Sequence, residues 1–180
     1  MGQVSICRLN TVREIDDLRG KIDRIFFESS AVTSFADEAA RQAFNERWLG
    51  RYVTHYPDWF YVALCDGRRD VAGYLAGCVQ DVRDTSLFDD ISYFDDFSKH
   101  LDRYPAHLHV NLASQLRSQG IGAQLVARFL TDAANGGACG VHVVTGQGSR
   151  NVGFYNRCGF KVIDSAPFGA STSVFLGICV

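Results

Sequence analysis

The stretch from His107 to Leu130, HLHVNLASQLRSQGIGAQLVARFL, constrains this chain more than any other. An alternating run passes into a polar loop, and the loop ends in Gly-x-Gly at the head of an apolar pattern with helical spacing. Period two places His107, His109 and Asn111 on one face of the strand and Leu108, Val110 and Leu112 on the other. The helix is expected from Gly120 to Ala134, closed by Asn135-Gly136-Gly137. Its start presents free backbone N–H groups and the positive dipole end. Glycines there let an anion approach the backbone closely. A pyrophosphate is the natural guest, with Arg117 as a mobile positive charge beside it. On spacing alone, Gly120 and Gly122 could equally be no more than a helix cap. A Walker loop is excluded, because no Lys-Ser or Lys-Thr follows at the required spacing. A dinucleotide fingerprint is excluded too, since Leu125 stands where its third glycine belongs.

The rest of the chain supplies the frame. Val4 to Leu9 alternates and reads as a first strand. Thr11 and Glu14 form a capping-box pattern before Ile15, Leu18, Ile22, Ile25 and Phe26, which fall on one helical face. A second helix is expected from Asp37 to His55, with Ala40, Phe44, Trp48 and Val53 inward and Pro57 ending it. Trp59 to Cys65 and Val71 to Gln80 are apolar runs flanking Asp66-Gly67-Arg68-Arg69-Asp70, a hairpin signal. Val141 to Thr145 reads as a strand, Ser149 to Arg157 as a helix and Ser171 to Val180 as a final strand. No repeat or linker interrupts this order, so one domain over residues 1–180 with an α+β, mixed-sheet layout is expected.

Between the hairpin and His107, the segment Asp81 to Tyr104 holds seven acids against three bases, interleaved with Leu87, Phe88, Tyr93, Phe94 and Phe97. Two readings stand side by side: an acidic, aromatic wall suited to a cationic acceptor, or a solvated segment whose aromatics face inward.

Composition removes several function classes. Of 180 residues, 47% are hydrophobic and 21% charged, ordinary values for a globular chain. A net charge of −2 lacks the basic face of a general nucleic-acid binder. No apolar run approaches the ~20 residues of a membrane span, and Met1 to Ile6 lacks the basic n-region of a signal peptide. The six cysteines are Cys7, Cys65, Cys78, Cys139, Cys158 and Cys179, and none form a CxxC pair. They read as reduced, buried thiols in a cytoplasmic setting, with no metal site.

RSQGIG, together with FYNRCGF from Phe154 to Phe160 one helix and one strand later, resembles the GNAT superfamily of N-acetyltransferases. GYLAG from Gly73 and YPAHLHVNL from Tyr104 further resemble the acetyltransferase-like domains fused to O-GlcNAc hydrolases, and their free-standing bacterial relatives. The resemblance implies a mostly antiparallel central sheet flanked by helices, with a splayed strand pair at the cofactor site. It implies acetyl-CoA as cosubstrate, held at Arg117, Ser118, Gln119, Gly120, Ile121, Gly122 and Ala123, with the pantetheine arm along Leu112 and Ala113. Tyr155 matches the tyrosine that serves the departing thiolate. Many members carry an asparagine seven residues before it. Here that place is Gly148, and Asn151 either substitutes or caps its helix. His109 is the expected base, and Asn111 is expected to orient a water or the amine. The acceptor would be a small-molecule or peptide amine, and the resemblance allows a homodimer. The alternative is a non-catalytic module of the same fold that binds acyl-CoA or a protein partner.

Overall fold

The computed structural model describes residues 4–13, 15–65 and 70–180. Its strands are β1 (Ser5–Arg8), β2 (Phe60–Cys65), β3 (Asp70–Cys78), β4 (Ala106–Leu112), β5 (Gly140–Gly146), β6 (Lys161–Phe168) and β7 (Ser171–Cys179). The helices are α1 (Leu18–Ser29), α2 (Glu38–Asn45), α3 (Arg51–His55), α4 (Tyr93–Asp96), α5 (Ile121–Asn135) and α6 (Arg150–Arg157). Strand order is β1-β2-β3-β4-β5-β7-β6. The β1–β2, β2–β3, β5–β7 and β6–β7 pairs are antiparallel and β4–β5 is parallel. This is the mixed, mostly antiparallel sheet with flanking helices that the sequence leads one to expect. The chain groups into two compact units, residues 1–77 with 109–129 and residues 78–108 with 130–180.

In the first unit β2 is buried along Phe60–Leu64. Covered on both faces, it reads as a continuous apolar run rather than an alternating one. On one face the Phe129 ring of α5 lies 6.2 Å from Tyr61, and on the other Phe60 stacks on Tyr74 at 5.3 Å. Helix α1 starts later than the capping box suggests. Asp17, at φ 51°, caps it by accepting from the Gly20 amide. Thr11 lies in a separate 3-10 turn and donates to the Arg8 carbonyl at 2.8 Å. Glu14 and the turn Asp66 to Arg69 lie outside the described residues.

Asp37 caps α2 as a helix from Asp37 to His55 requires, but a wider π turn at Glu46–Gly50 separates α2 from α3. The buried stripe is Asn45, Leu49, Tyr52 and Tyr56. It runs one residue out of step with the expected Phe44, Trp48 and Val53. A polar Asn at the head of the stripe hides it from an apolar count, and this displacement matters for the site.

In the second unit the segment Asp81 to Tyr104 is a chain of short turns around α4. Phe88, Phe94, Phe97, Leu101 and Tyr104 are buried. Of the two readings, the inward-facing one describes these rings. Arg83 joins Asp81 and Asp102, each at 2.6 Å. Strand β6, absent from the sequence reading, pairs with β7 from Lys161↔Gly177 to Phe168↔Ser171, with a register shift between Val162 and Asp164. Of the thiols only Cys78 is fully buried, while Cys139 and Cys179 are exposed, so the expected burial holds for one of them.

Candidate functional site

The turn between β4 and α5 is built from two left-handed residues. Ser118 has φ 62° and Gly120 has φ 80°. Such values cost a residue with a Cβ about 1 kcal/mol or more, which explains glycine at position 120. A Cβ built there would meet nothing within 4 Å, so the backbone at Gly120 faces open space. The first helical hydrogen bond runs from the Gln124 amide to the Gly120 carbonyl at 3.1 Å. The amides of Ile121, Gly122 and Ala123 therefore precede the bonded ladder. Ser118, Gln119, Gly120 and Ala123 are exposed, whereas Ile121 and Gly122 are buried. A left-handed turn, unclaimed amides and open space suit the close approach of a pyrophosphate.

Arg117 is tied down rather than mobile. Its Nε donates to the Leu112 carbonyl at 3.2 Å and its Nη2 to the Ser29 hydroxyl at 3.1 Å. The end of β4 is similarly engaged: the Ala113 amide donates to the Ala72 carbonyl at 3.0 Å. That amide is spent on β3. Gly73 permits the close approach. A Cβ there would sit 2.6 Å from the Asn111 carbonyl oxygen and would also strike the Leu112 side chain.

Upstream on β4, the strand alternation delivers His109 and Asn111 to one face, as expected. The His109 ring lies 5.0 Å from Tyr52 of α3 and 6.2 Å from Tyr74 of β3, edge-on to both. Its Nε2 is buried and has no hydrogen-bond partner among the described residues. Burial pushes the imidazole down to about 4, so it is neutral at neutral pH. Asn111 donates from Nδ2 to the Tyr74 hydroxyl at 2.7 Å. Burial raises the Tyr74 phenol above its ordinary value, with the Asn111 hydrogen bond acting the other way, so Tyr74 keeps its proton. In the buried stripe, Asn45 accepts from Arg19 at 2.7 Å and donates to Asp23 at 3.0 Å. Tyr52, Tyr74 and Asn45 were not singled out from sequence. The displaced helical stripe and the period-two face of β3 are the signals that hold them.

Tyr155, in the second unit, is buried on α6 and edge-on to Phe154 at 5.0 Å and Phe160 at 5.6 Å. Asn151 is exposed in the first turn of the same helix, and Ser149 at the N-cap position makes no side-chain capping bond. Gly148 has φ 75°. The position where the resemblance leads one to expect asparagine is thus a left-handed turn, a conformation that glycine adopts without strain. His107 is also interior, its ring 4.9 Å from Phe88 and 5.6 Å from His142.

Comparison with known proteins fits this geometry. The structure is similar to the crystal structure of SsHAT, with a TM-score of 0.72 at 18% identity over 98% of each chain. It is similar to yncA from Salmonella typhimurium, solved with its cofactor acetyl-CoA, with a TM-score of 0.59 at 18% identity over 98% of this chain and 93% of that one. It also resembles ribosomal-protein-alanine N-acetyltransferase from Brucella melitensis, with a TM-score of 0.58 at 17% identity over 99% of each chain. At these identities the likeness speaks for the fold. No curated protein matches by sequence. The model of the acetyltransferase (GNAT) family matches residues 26–160, three quarters of the chain and the whole of the β4–α5 turn, and the chain belongs to that family.

Proposed function

We propose that this chain, acting as one domain over residues 1–180, transfers acetyl from acetyl-CoA to a primary amine. The observation that carries the reading is the left-handed turn at Ser118 and Gly120, with unclaimed amides at Ile121, Gly122 and Ala123, in a chain of this family. Acetyl-CoA, as cosubstrate, supplies the acetyl group as a thioester whose carbonyl carbon the amine attacks directly in a ternary complex. The turn from Arg117 to Ala123 holds the pyrophosphate, and Leu112 and Ala113 line the pantetheine arm. Asn151 contributes from the first turn of α6. Asn111 orients the amine, His109 accepts its proton directly or through a water, and Tyr155 hydrogen-bonds the departing thiolate. Positioning supplies much of the acceleration.

The acceptor is a small-molecule or peptide amine; the Brucella neighbour's name, an N-acetyltransferase of a protein alanine, supports the peptide form. GYLAG and YPAHLHVNL support kinship with the domains fused to O-GlcNAc hydrolases. A cytoplasmic setting and a homodimer complete the reading. Among the described residues no helix is long and apolar enough to cross a membrane. A second reading, a module that binds acyl-CoA without turnover, draws support from the low basicity of His109 and from Gly148 in place of asparagine.

Calorimetry with acetyl-CoA tests the shared premise. Gly120→Ala meets no protein atom, so the folded state should lose only about 1 kcal/mol from the left-handed backbone. Its Cβ would enter the space a phosphate needs, and affinity should fall at least about tenfold. Unchanged affinity in this variant removes the cofactor assignment. Release of free CoA thiol with an amine present then separates the enzyme from the non-catalytic module.

A further inference from the structure

We infer that Tyr74 is a positioning residue for the acceptor amine, acting through Asn111. The inference rests on the acetyltransfer reading above. An asparagine side chain offers one end that donates and one that accepts, and only the accepting end can hold an N–H of an incoming amine. Here the donating end is committed: Asn111 Nδ2 donates to the Tyr74 hydroxyl at 2.7 Å. The carbonyl oxygen Oδ1 is left without a partner among the described residues, on a half-buried side chain. With Tyr74 accepting, the end of the amide left open is the one that accepts.

Tyr74 is suited to this work. It is fully buried, stacked on Phe60 at 5.3 Å, and its ring stands edge-on to His109, so its hydroxyl has little freedom to move. Burial keeps it protonated, so it accepts from Asn111 as a neutral phenol through the working pH range. Gly73, the preceding residue, lets the Asn111 backbone lie against β3, which sets the reach between the two side chains. One aromatic residue thus touches both groups assigned to the amine: Asn111 by a hydrogen bond and His109 by its ring edge.

A double-mutant cycle in the full chain tests this, with alaninamide as the acceptor probe and CoA thiol release as the readout. Tyr74→Phe and Asn111→Ala should each raise the KM for alaninamide about tenfold, with the KM for acetyl-CoA unchanged. The double variant should also lie about tenfold above wild type, because the second change removes nothing further. A hundredfold rise, the product of independent effects, overturns the inference. A second measurement needs no turnover. The Nδ2 proton pair of Asn111, assigned by its loss in Asn111→Ala, should change its chemical shifts in Tyr74→Phe. An unaltered pair also overturns it. Wild type that binds no acetyl-CoA in the calorimeter sinks the acetyltransfer reading itself, whereas a multiplicative cycle sinks the Tyr74 assignment alone.

Discussion

His109 shows how a residue can occupy the expected face and yet differ in chemistry from the expectation. Strand alternation puts it beside Asn111, and that much follows from HLHVNL. Its enclosure depends on Tyr52 and Tyr74, 57 and 35 positions earlier in the chain, so the depressed basicity was not legible. An imidazole pushed down to about 4 is already unprotonated at pH 5, and lowering the pH to 6.5 does not switch it off. If His109 takes the proton, its own acidic limb in kcat/KM falls near pH 4. Any limb above pH 6 then belongs to the acceptor, whose ammonium must lose a proton before it attacks. Rate profiles of wild type and His109→Gln should share that upper limb, with the variant slower throughout. A wild-type limb near 6.5 that vanishes in His109→Gln would contradict the buried, weakly basic imidazole.

At the level of elements, the strand–turn–helix unit of β4 and α5 was the most legible part, because local chemistry alone determines it: alternation, a left-handed glycine, then helical period. The beginning of α1 was less so, since Asp17 competes with Thr11 as a cap and wins by adopting a left-handed backbone. Strand β6 was illegible for a different reason. It is mostly exposed, with Val162 and Phe168 both 52% exposed, and it carries a register shift, so no period-two signal survives. The approach of β3 to β4 lies between these cases. GYLAG marks a glycine, but only the fold shows that Gly73 faces the Asn111 carbonyl. Gly73→Ala should therefore push the end of β4 outward. The expected cost is about 1–3 kcal/mol in urea unfolding, as for other overpacked sites, with weaker acetyl-CoA binding from the displaced turn. A variant as stable as wild type would show that β4 yields freely at this point.

For the whole chain, the loss of stability between pH 7 and pH 4 should come mainly from buried imidazoles. In the second unit His142 donates from Nδ1 to the Tyr104 carbonyl at 2.6 Å, and its buried Nε2 has no hydrogen-bond partner among the described residues. Phe175 stacks on the ring at 4.7 Å and Phe94 stands edge-on at 5.8 Å. Burial pushes this imidazole down to about 4, against weaker opposing effects from the Tyr104 carbonyl and the Asp81 charge. The unfolded chain binds a proton there near pH 6.5 and the folded chain does not, so between those values the unfolded state holds more protons. Stability is complete above pH 6.5 and falls as pH drops towards 4, by about 3 kcal/mol for this one residue. Asp164 follows the same sign in a lower window. Lys99 and His100 hold its carboxyl well below the usual range, so its contribution is lost only under still more acidic conditions. Urea unfolding of wild type from pH 7 to pH 4 should therefore show a slope that His142→Asn reduces by about 1.4 kcal/mol per pH unit. Equal slopes in the two proteins would mean that His142 titrates alike in the folded and unfolded chain, and that the buried ring is reached by water.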